Sequence, residues 1–207
     1  GGIGHLAAFS FHETKNIIPG EGGMLVVNDS HFFERAEIIW EKGTNRSAFF
    51  KGTVSKYEWV DVGSSFLPSE INAAYLYAQI EHIDNIQAKR KKIWETYFNE
   101  LKEWGDQNGV ALPYVPDYAT NNGHAFYLVC SSEQQRVSLI KKLGDNSIYA
   151  ISHYLSLHQS PYYQSMHRGD VLINSDRYTN QLLRLPLFYE LTETDIKKII
   201  NCVKSLE

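Results

Sequence analysis

Ser10-Phe11-His12-Glu13-Thr14-Lys15 brings a hydroxyl, an imidazole and a primary amine within six residues, and Gly20-Glu21-Gly22-Gly23 follows it. An amine in that company can do carbonyl chemistry, adding to an aldehyde or ketone and later carrying a proton. Taken alone, a lysine near a turn is a solvated surface charge. The neighbours change the reading: Ser10 and His12 offer hydrogen-bonding groups, and Gly22 and Gly23 let backbone amides approach an anion closely.

The flanking residues must place that amine. Leu6-Ala7-Ala8-Phe9-Ser10-Phe11 is a small, mostly apolar run that predicts a strand buried on both faces, with Lys15 just past its carboxyl end. Ligands collect at that edge of open α/β sheets, where loops held by a rigid sheet carry reactive groups. Met24 to Asn28 predicts a second strand. The lysine then sits on a loop between two strands, its amine facing a cleft, as a Schiff-base lysine requires.

Further along, Asn28-Asp29-Ser30 caps a predicted helix that runs to about Lys42, with Gly43 as its stop. Residues 44–63 mix Arg46, Phe49, Phe50, Tyr57 and Trp59 with small residues, which predicts either a functional loop or one packed by its own aromatics. Ser69 caps a second helix carrying Ile71, Ala74, Tyr75, Ala78 and His82 at helical spacing. A third repeats the pattern with Ile86, Arg90, Ile93, Tyr97 and Leu101. Lys89-Arg90-Lys91-Lys92 lies on that helix and reads as a solvated face.

Gly, Asn, Asp and Pro between residues 105 and 116 predict a boundary, so that residues 1–105 and 106–207 form two α/β pieces. The second piece is expected to hold strands at 124–130 and 147–152, a helix at 133–143, and a last helix in which Thr192 and Asp195 form a cap ahead of Ile196, Ile199, Ile200, Val203 and Leu206. His153-Tyr154 and Leu157-His158, followed by Pro161, Tyr162 and Tyr163, form a loop of hydrogen-bonding aromatics suited to gripping a sugar. The spacing of His153, His158 and His167 matches no zinc pattern, and no nucleophile elbow or phosphate loop is present.

The 207 residues are 43% hydrophobic and 21% charged, with a net charge of −4. That balance argues against a nucleic-acid or anionic-membrane surface. Cys130 and Cys202 lie far apart in apolar stretches and read as reduced core thiols, which fits a reducing cytoplasm. No apolar run reaches the roughly 18 residues of a membrane span, and no signal peptide is visible.

The run from Ser10 to Lys15, continued by Asn16 and the Gly20 to Gly23 turn, resembles the lysine motif of the DegT/StrS family of sugar aminotransferases. The blocks Glu41 to Ser47, Tyr57 with Trp59 to Ser65, His153-Tyr154 with Leu157-His158, and Leu182 to Phe188 are similar to one branch of it, the bacterial dTDP-4-amino-4,6-dideoxygalactose transaminases. Those proteins are longer and carry the motif near mid-chain, so this chain resembles their carboxyl-terminal half.

The resemblance implies a fold-type-I pyridoxal-phosphate aminotransferase: the later part of the large domain, then the small carboxyl-terminal α/β domain. It implies Lys15 as the catalytic residue and covalent cofactor ligand, Ser10 and His12 as cofactor-binding, and Tyr154, His158 and Arg46 as substrate-binding. It further implies L-glutamate as donor, a dTDP-4-keto-6-deoxyhexose as acceptor, a role in surface polysaccharide or antigen synthesis, and a homo-oligomer whose sites use two subunits. Where many members carry an Asn that reaches the partner's cofactor phosphate, Leu67 stands here, which leaves Ser64 or Ser65 for that contact.

By the same resemblance, most phosphate, ring and pyridine contacts lie upstream of Gly1, so the chain alone is expected to bind the cofactor weakly and to be inactive. Three alternatives stay open: a non-catalytic interaction module, a sugar-binding protein without cofactor, and a ketosugar dehydratase relative. The last would carry a histidine where Lys15 stands.

Overall fold

The structure, a computed structural model, describes residues 1–205. It divides into two compact units, Gly1–Ile83 and Asp84–Glu207. This division falls ahead of the Gly- and Pro-rich stretch at which composition predicts a boundary near residue 105. The physical reason is the long helix that begins at Ile83, whose apolar stripe packs into the second unit's core.

In the first unit, strand β1 (Leu6–Ser10) pairs antiparallel with β2 (Gly23–Val27), Leu6 opposite Val27 and Ser10 opposite Gly23. The pair stands as a two-stranded sheet. The expectation that β1 is buried on both faces is therefore corrected: Leu6, Phe9, Met24 and Leu25 are exposed, the pair having no further strand beside it among the described residues. Asp29 caps a short 3-10 turn at Ser30–Phe32 by accepting from the His31 amide, and helix α1 (Phe33–Trp40) continues from it.

Helix α2 (Arg46–Phe50) lies inside the loop predicted to be irregular. That loop is closed at its neck by the Gly43 carbonyl, which accepts from both Val60 N and Asp61 N at 2.9 Å. Asn45 clasps the opposite side: its Oδ1 accepts from Glu58 N at 2.7 Å and its Nδ2 donates to Lys56 O at 3.1 Å. Helix α3 (Glu70–Glu81) starts at Ser69, whose Oγ accepts from Asn72 N.

The second unit is built around helix α4 (Ile83–Asn108), with Arg90, Ile93, Trp94, Tyr97, Leu101 and Trp104 buried at helical spacing. Strand β3 (Phe126–Val129) pairs antiparallel with β4 (Leu182–Leu185) and lies in the same core as helix α5 (Glu133–Asp145). Helix α6 (Ile173–Gln181) leads into β4. Phe126, Leu128, Leu139, Leu143 and Leu183 are fully enclosed. The strand expected at 147–152 reduces to one bridge, Ile151 to Arg184.

Helix α7 (Glu193–Lys204) opens on the predicted capping box: Thr192 Oγ1 accepts from Asp195 N, and the Asp195 carboxylate accepts from Thr192 N. Ile196, Ile199, Ile200 and Val203 face the core; Leu206 lies outside the described residues. Cys130 and Cys202 are free and buried, and burial pushes the Cys130 thiol up to about 11.

One reading of the basic run needs correction. Arg90 is buried rather than solvated, and its guanidinium donates to three carbonyls: Gly123 at 3.1 Å, His124 at 2.8 Å and Leu187 at 3.3 Å. Gly123 permits this approach, since a Cβ there would stand 2.9 Å from the Arg90 carbonyl carbon. Lys92 pairs with Glu193 at 3.0 Å, and Lys89 lies over the Tyr189 ring.

Candidate active site

Lys15 occupies a turn just beyond β1, closed by its own amide donating to His12 O at 2.9 Å. Its side chain is exposed, and its amine makes no hydrogen bond or ion pair among the described residues. The turn is braced from both sides. Phe11 N donates to Gly22 O at 2.9 Å, and His12 bridges Gly20, where φ of 97° requires a glycine.

His12 is oriented by its neighbours. Thr14 N donates to Nδ1 at 3.2 Å, so that nitrogen is the acceptor and Nε2 carries the proton, 3.5 Å from Glu21 Oε1. The Ser10 hydroxyl oxygen accepts from His12 N at 3.4 Å. Ser10 at the end of β1 and His12 and Lys15 in the turn beyond it thus lie in one hydrogen-bonded segment.

Downstream of the amine, Ile17 is buried, and Gln79 of α3 engages both backbone groups of Ile18. Its Oε1 accepts from Ile18 N at 2.9 Å and its Nε2 donates to Ile18 O at 2.5 Å. Sequence reasoning missed Gln79, because nothing local marks a glutamine whose partner lies 61 residues away.

Arg46 lies in the same unit, but its Nη1 is held by both carboxylate oxygens of the buried Glu41, at 3.0 and 3.1 Å, with the guanidinium over Phe50. Leu67 offers no polar group; the Ser64 backbone is tied to Ile39 and Lys42.

Tyr154 and His158 belong to the second unit. Tyr154 is exposed and its ring stacks on His153 at 4.2 Å between centroids. His158 is nearly enclosed: Nε2 meets Asp176 Oδ1 at 2.8 Å, the same oxygen accepts from Gln159 Nε2 at 2.6 Å, and the His167 ring lies 5.4 Å away. Asp176, on α6, is a second residue the sequence did not single out. Among the described residues no group of three His, Cys, Asp or Glu could hold a metal ion.

His153 Nδ1 accepts from Arg184 Nη1 at 3.2 Å. Burial first, and the Arg184 charge second, hold its pKa below the ordinary value. A lowered folded pKa means that the unfolded chain binds the proton more readily. Stability from this contact is therefore complete above the unfolded value of about 6.5 and is lost as pH falls through the folded one. A histidine titration followed by NMR should place His153 below that value, and His153→Phe should remove this part of the acid sensitivity.

The donor set on β1's loop fits a phosphorylated aldehyde. An unengaged amine can attack the carbonyl carbon, the Ser10 hydroxyl ends the strand that leads into its turn, and the exposed Gly20 to Gly23 turn leaves open space, with no atom within 4 Å of a Cβ added at Gly20. That is the chemistry of pyridoxal phosphate.

Residues 1–204 match the DegT/DnrJ/EryC1/StrS aminotransferase family, and the chain belongs to it. The cofactor of that family is pyridoxal phosphate, and the fold is the α/β fold of its aminotransferases. Among curated relatives, the spore coat polysaccharide biosynthesis protein SpsC of Bacillus subtilis is 26% identical over 218 residues, covering 100% of this chain and 54% of that protein.

The aminotransferase DesV of S. venezuelae, solved with a ketimine intermediate, is 25% identical with a TM-score of 0.84 over 98% of this chain and 52% of its own. Helicobacter pylori PseC, an aminotransferase of pseudoaminic acid biosynthesis, is 23% identical with a TM-score of 0.82, over 98% and 53%. The chain spans about half the length of the relatives it matches.

Proposed function

We propose that the protein carrying this chain transfers the amino group of L-glutamate to the 4-keto carbon of a dTDP-4-keto-6-deoxyhexose, in the synthesis of a surface polysaccharide or antigen. The observation that carries this reading is the unengaged Lys15 amine on a braced turn beside Ser10 and His12. When bound, pyridoxal phosphate supplies an electron sink for the pair left at the donor's Cα. Lys15 would hold the cofactor through its amine and would be the base that moves the proton at that carbon.

Ser10 would hold the phosphate through its hydroxyl, and His12, fixed by Thr14 and Glu21, would add a second polar group from the same segment. Tyr154, His158 and Arg46 are assigned to the nucleotide sugar. Arg46 retains N–H groups beyond the Nη1 that Glu41 engages. The protein acts as a cytoplasmic homo-oligomer, with the aromatic loop at 44–63 meeting a second copy. The 207-residue chain alone carries too few cofactor contacts to turn over. The polysaccharide and sugar pathways in the names of SpsC and PseC support a sugar acceptor.

The test follows nitrogen. With [15N]glutamate and dTDP-4-keto-6-deoxyglucose, the full-length protein should yield a 15N-labelled aminosugar nucleotide, read by mass spectrometry. Label that stays in glutamate while another nucleotide ketosugar is aminated from a different donor would replace this substrate pair.

A further inference from the structure

The turn that holds Lys15 is short and closes on itself, so the place of its amine depends on how the chain leaving it is anchored. That anchor is one carboxamide. Gln79 satisfies the N–H of Ile18 at 2.9 Å and its carbonyl at 2.5 Å, while the adjacent Ile17 is buried at 9% exposure. One hydrogen bond would leave the Ile18 peptide groups free to swing about it; two, from a planar group on a helix, fix position and rotation together. Helix α3 is itself fixed at its start by the Ser69 cap.

We infer that Gln79 is a positioning residue for Lys15: through Ile18 it holds the lysine turn so that Nζ meets the carbonyl carbon it attacks from one direction. This rests on the role proposed for Lys15. Misplacement of a reacting group by about 1 Å costs up to about 10²-fold in rate, so a loosened turn is expected to register first in Lys15's reactivity.

The experiment measures how fast pyridoxal phosphate becomes fixed to individual lysines of the purified protein in cyanoborohydride. A C–N bond forms at the aldehyde carbon, its oxygen leaves as water, and the reagent supplies the hydride. Peptide mapping reads Lys15 against Lys42 and Lys56, two exposed lysines of the same unit. Gln79→Met, of similar size but unable to form either bond, should slow Lys15 about tenfold and leave Lys42 and Lys56 unchanged.

Gln79→Glu supplies a readout that a role in folding alone would not move. Ionised, its carboxylate opposes the Ile18 carbonyl and lacks a donor; protonated, it can remake both bonds. Its Lys15 rate, taken relative to the unmodified protein at each pH, should therefore recover as pH falls. Gln79→Met labelling Lys15 at the original rate would overturn the inference, as would slowing shared by all three lysines. Preferential fixing at lysines other than Lys15 in the unmodified protein would overturn the role of Lys15 itself, and the positioning role with it.

Discussion

Lys15→Ala is expected to lower amino-group transfer by about 10³-fold or more, because in the proposed role it removes both the covalent attachment and the base in one step. Lys15→Arg should do the same. A guanidinium stays protonated at any working pH, so it neither adds to an aldehyde nor accepts a proton. Neither change should alter folding, since the side chain is exposed and its amine has no partner among the described residues. The variants should also retain pyridoxal phosphate noncovalently, with borohydride no longer fixing it at position 15. Turnover at the original rate in either variant would remove Lys15 from the mechanism.

The second large effect concerns stability. Arg90→Met keeps most of the aliphatic length but leaves the carbonyls of Gly123, His124 and Leu187 without their donor. Two terms oppose each other. Burying a guanidinium is unfavourable, and desolvation accordingly lowers the Arg90 pKa, with Arg184 adding repulsion. Replacing it relieves that cost.

Against this stand the three carbonyls that lose the Arg90 donor, one in a buried bond and two in partly buried ones, at about 1–3 kcal/mol for a buried group and less for the others. The acceptors win, and a net loss of about 3 kcal/mol is expected, or roughly 10 °C in the melting midpoint of a unit of this size. Arg90→Lys should recover only part, because an ammonium lacks the planar fork that reaches separate carbonyls. An unchanged urea midpoint for Arg90→Met would show that the three bonds contribute nothing net.

Arg90 also shows where the sequence was silent. Within Lys89-Arg90-Lys91-Lys92 all four charges look alike, and only the helical stripe of Ile86, Ile93 and Tyr97 hints that position 90 faces inward. The lysine turn was legible because its chemistry is local: hydroxyl, imidazole, amine and glycines are contiguous. The capping box at Thr192 was legible for the same reason.

Helix α6, Ile-Asn-Ser-Asp-Arg-Tyr-Thr-Asn-Gln, was not, since its residues are mostly polar and none is buried. Nor was the exposure of β1, whose apolar run reads as covered on both faces, whereas the described residues give it one neighbour. Gln79 and Asp176 share one difficulty: each acts on a residue far away in sequence, and no spacing rule spans that gap.

The neck of the loop at 44–63 carries a consequence for how such a protein can diversify. Gly43, at φ 76°, and Gly63 bring two backbones into contact; a Cβ on Gly43 would collide with the Asp61 carbonyl, and one on Gly63 with the Gly43 amide. Because the stems meet this closely, what lies between them is an exchangeable cassette. Its length can vary at an entropic cost of only about 0.6 kcal/mol per doubling, provided the ties that hold it to α1 are kept: Lys51 to Glu37, and Arg46 to Glu41 at the helix end. Residues can thus be inserted between the two stems while the stems themselves stay in contact.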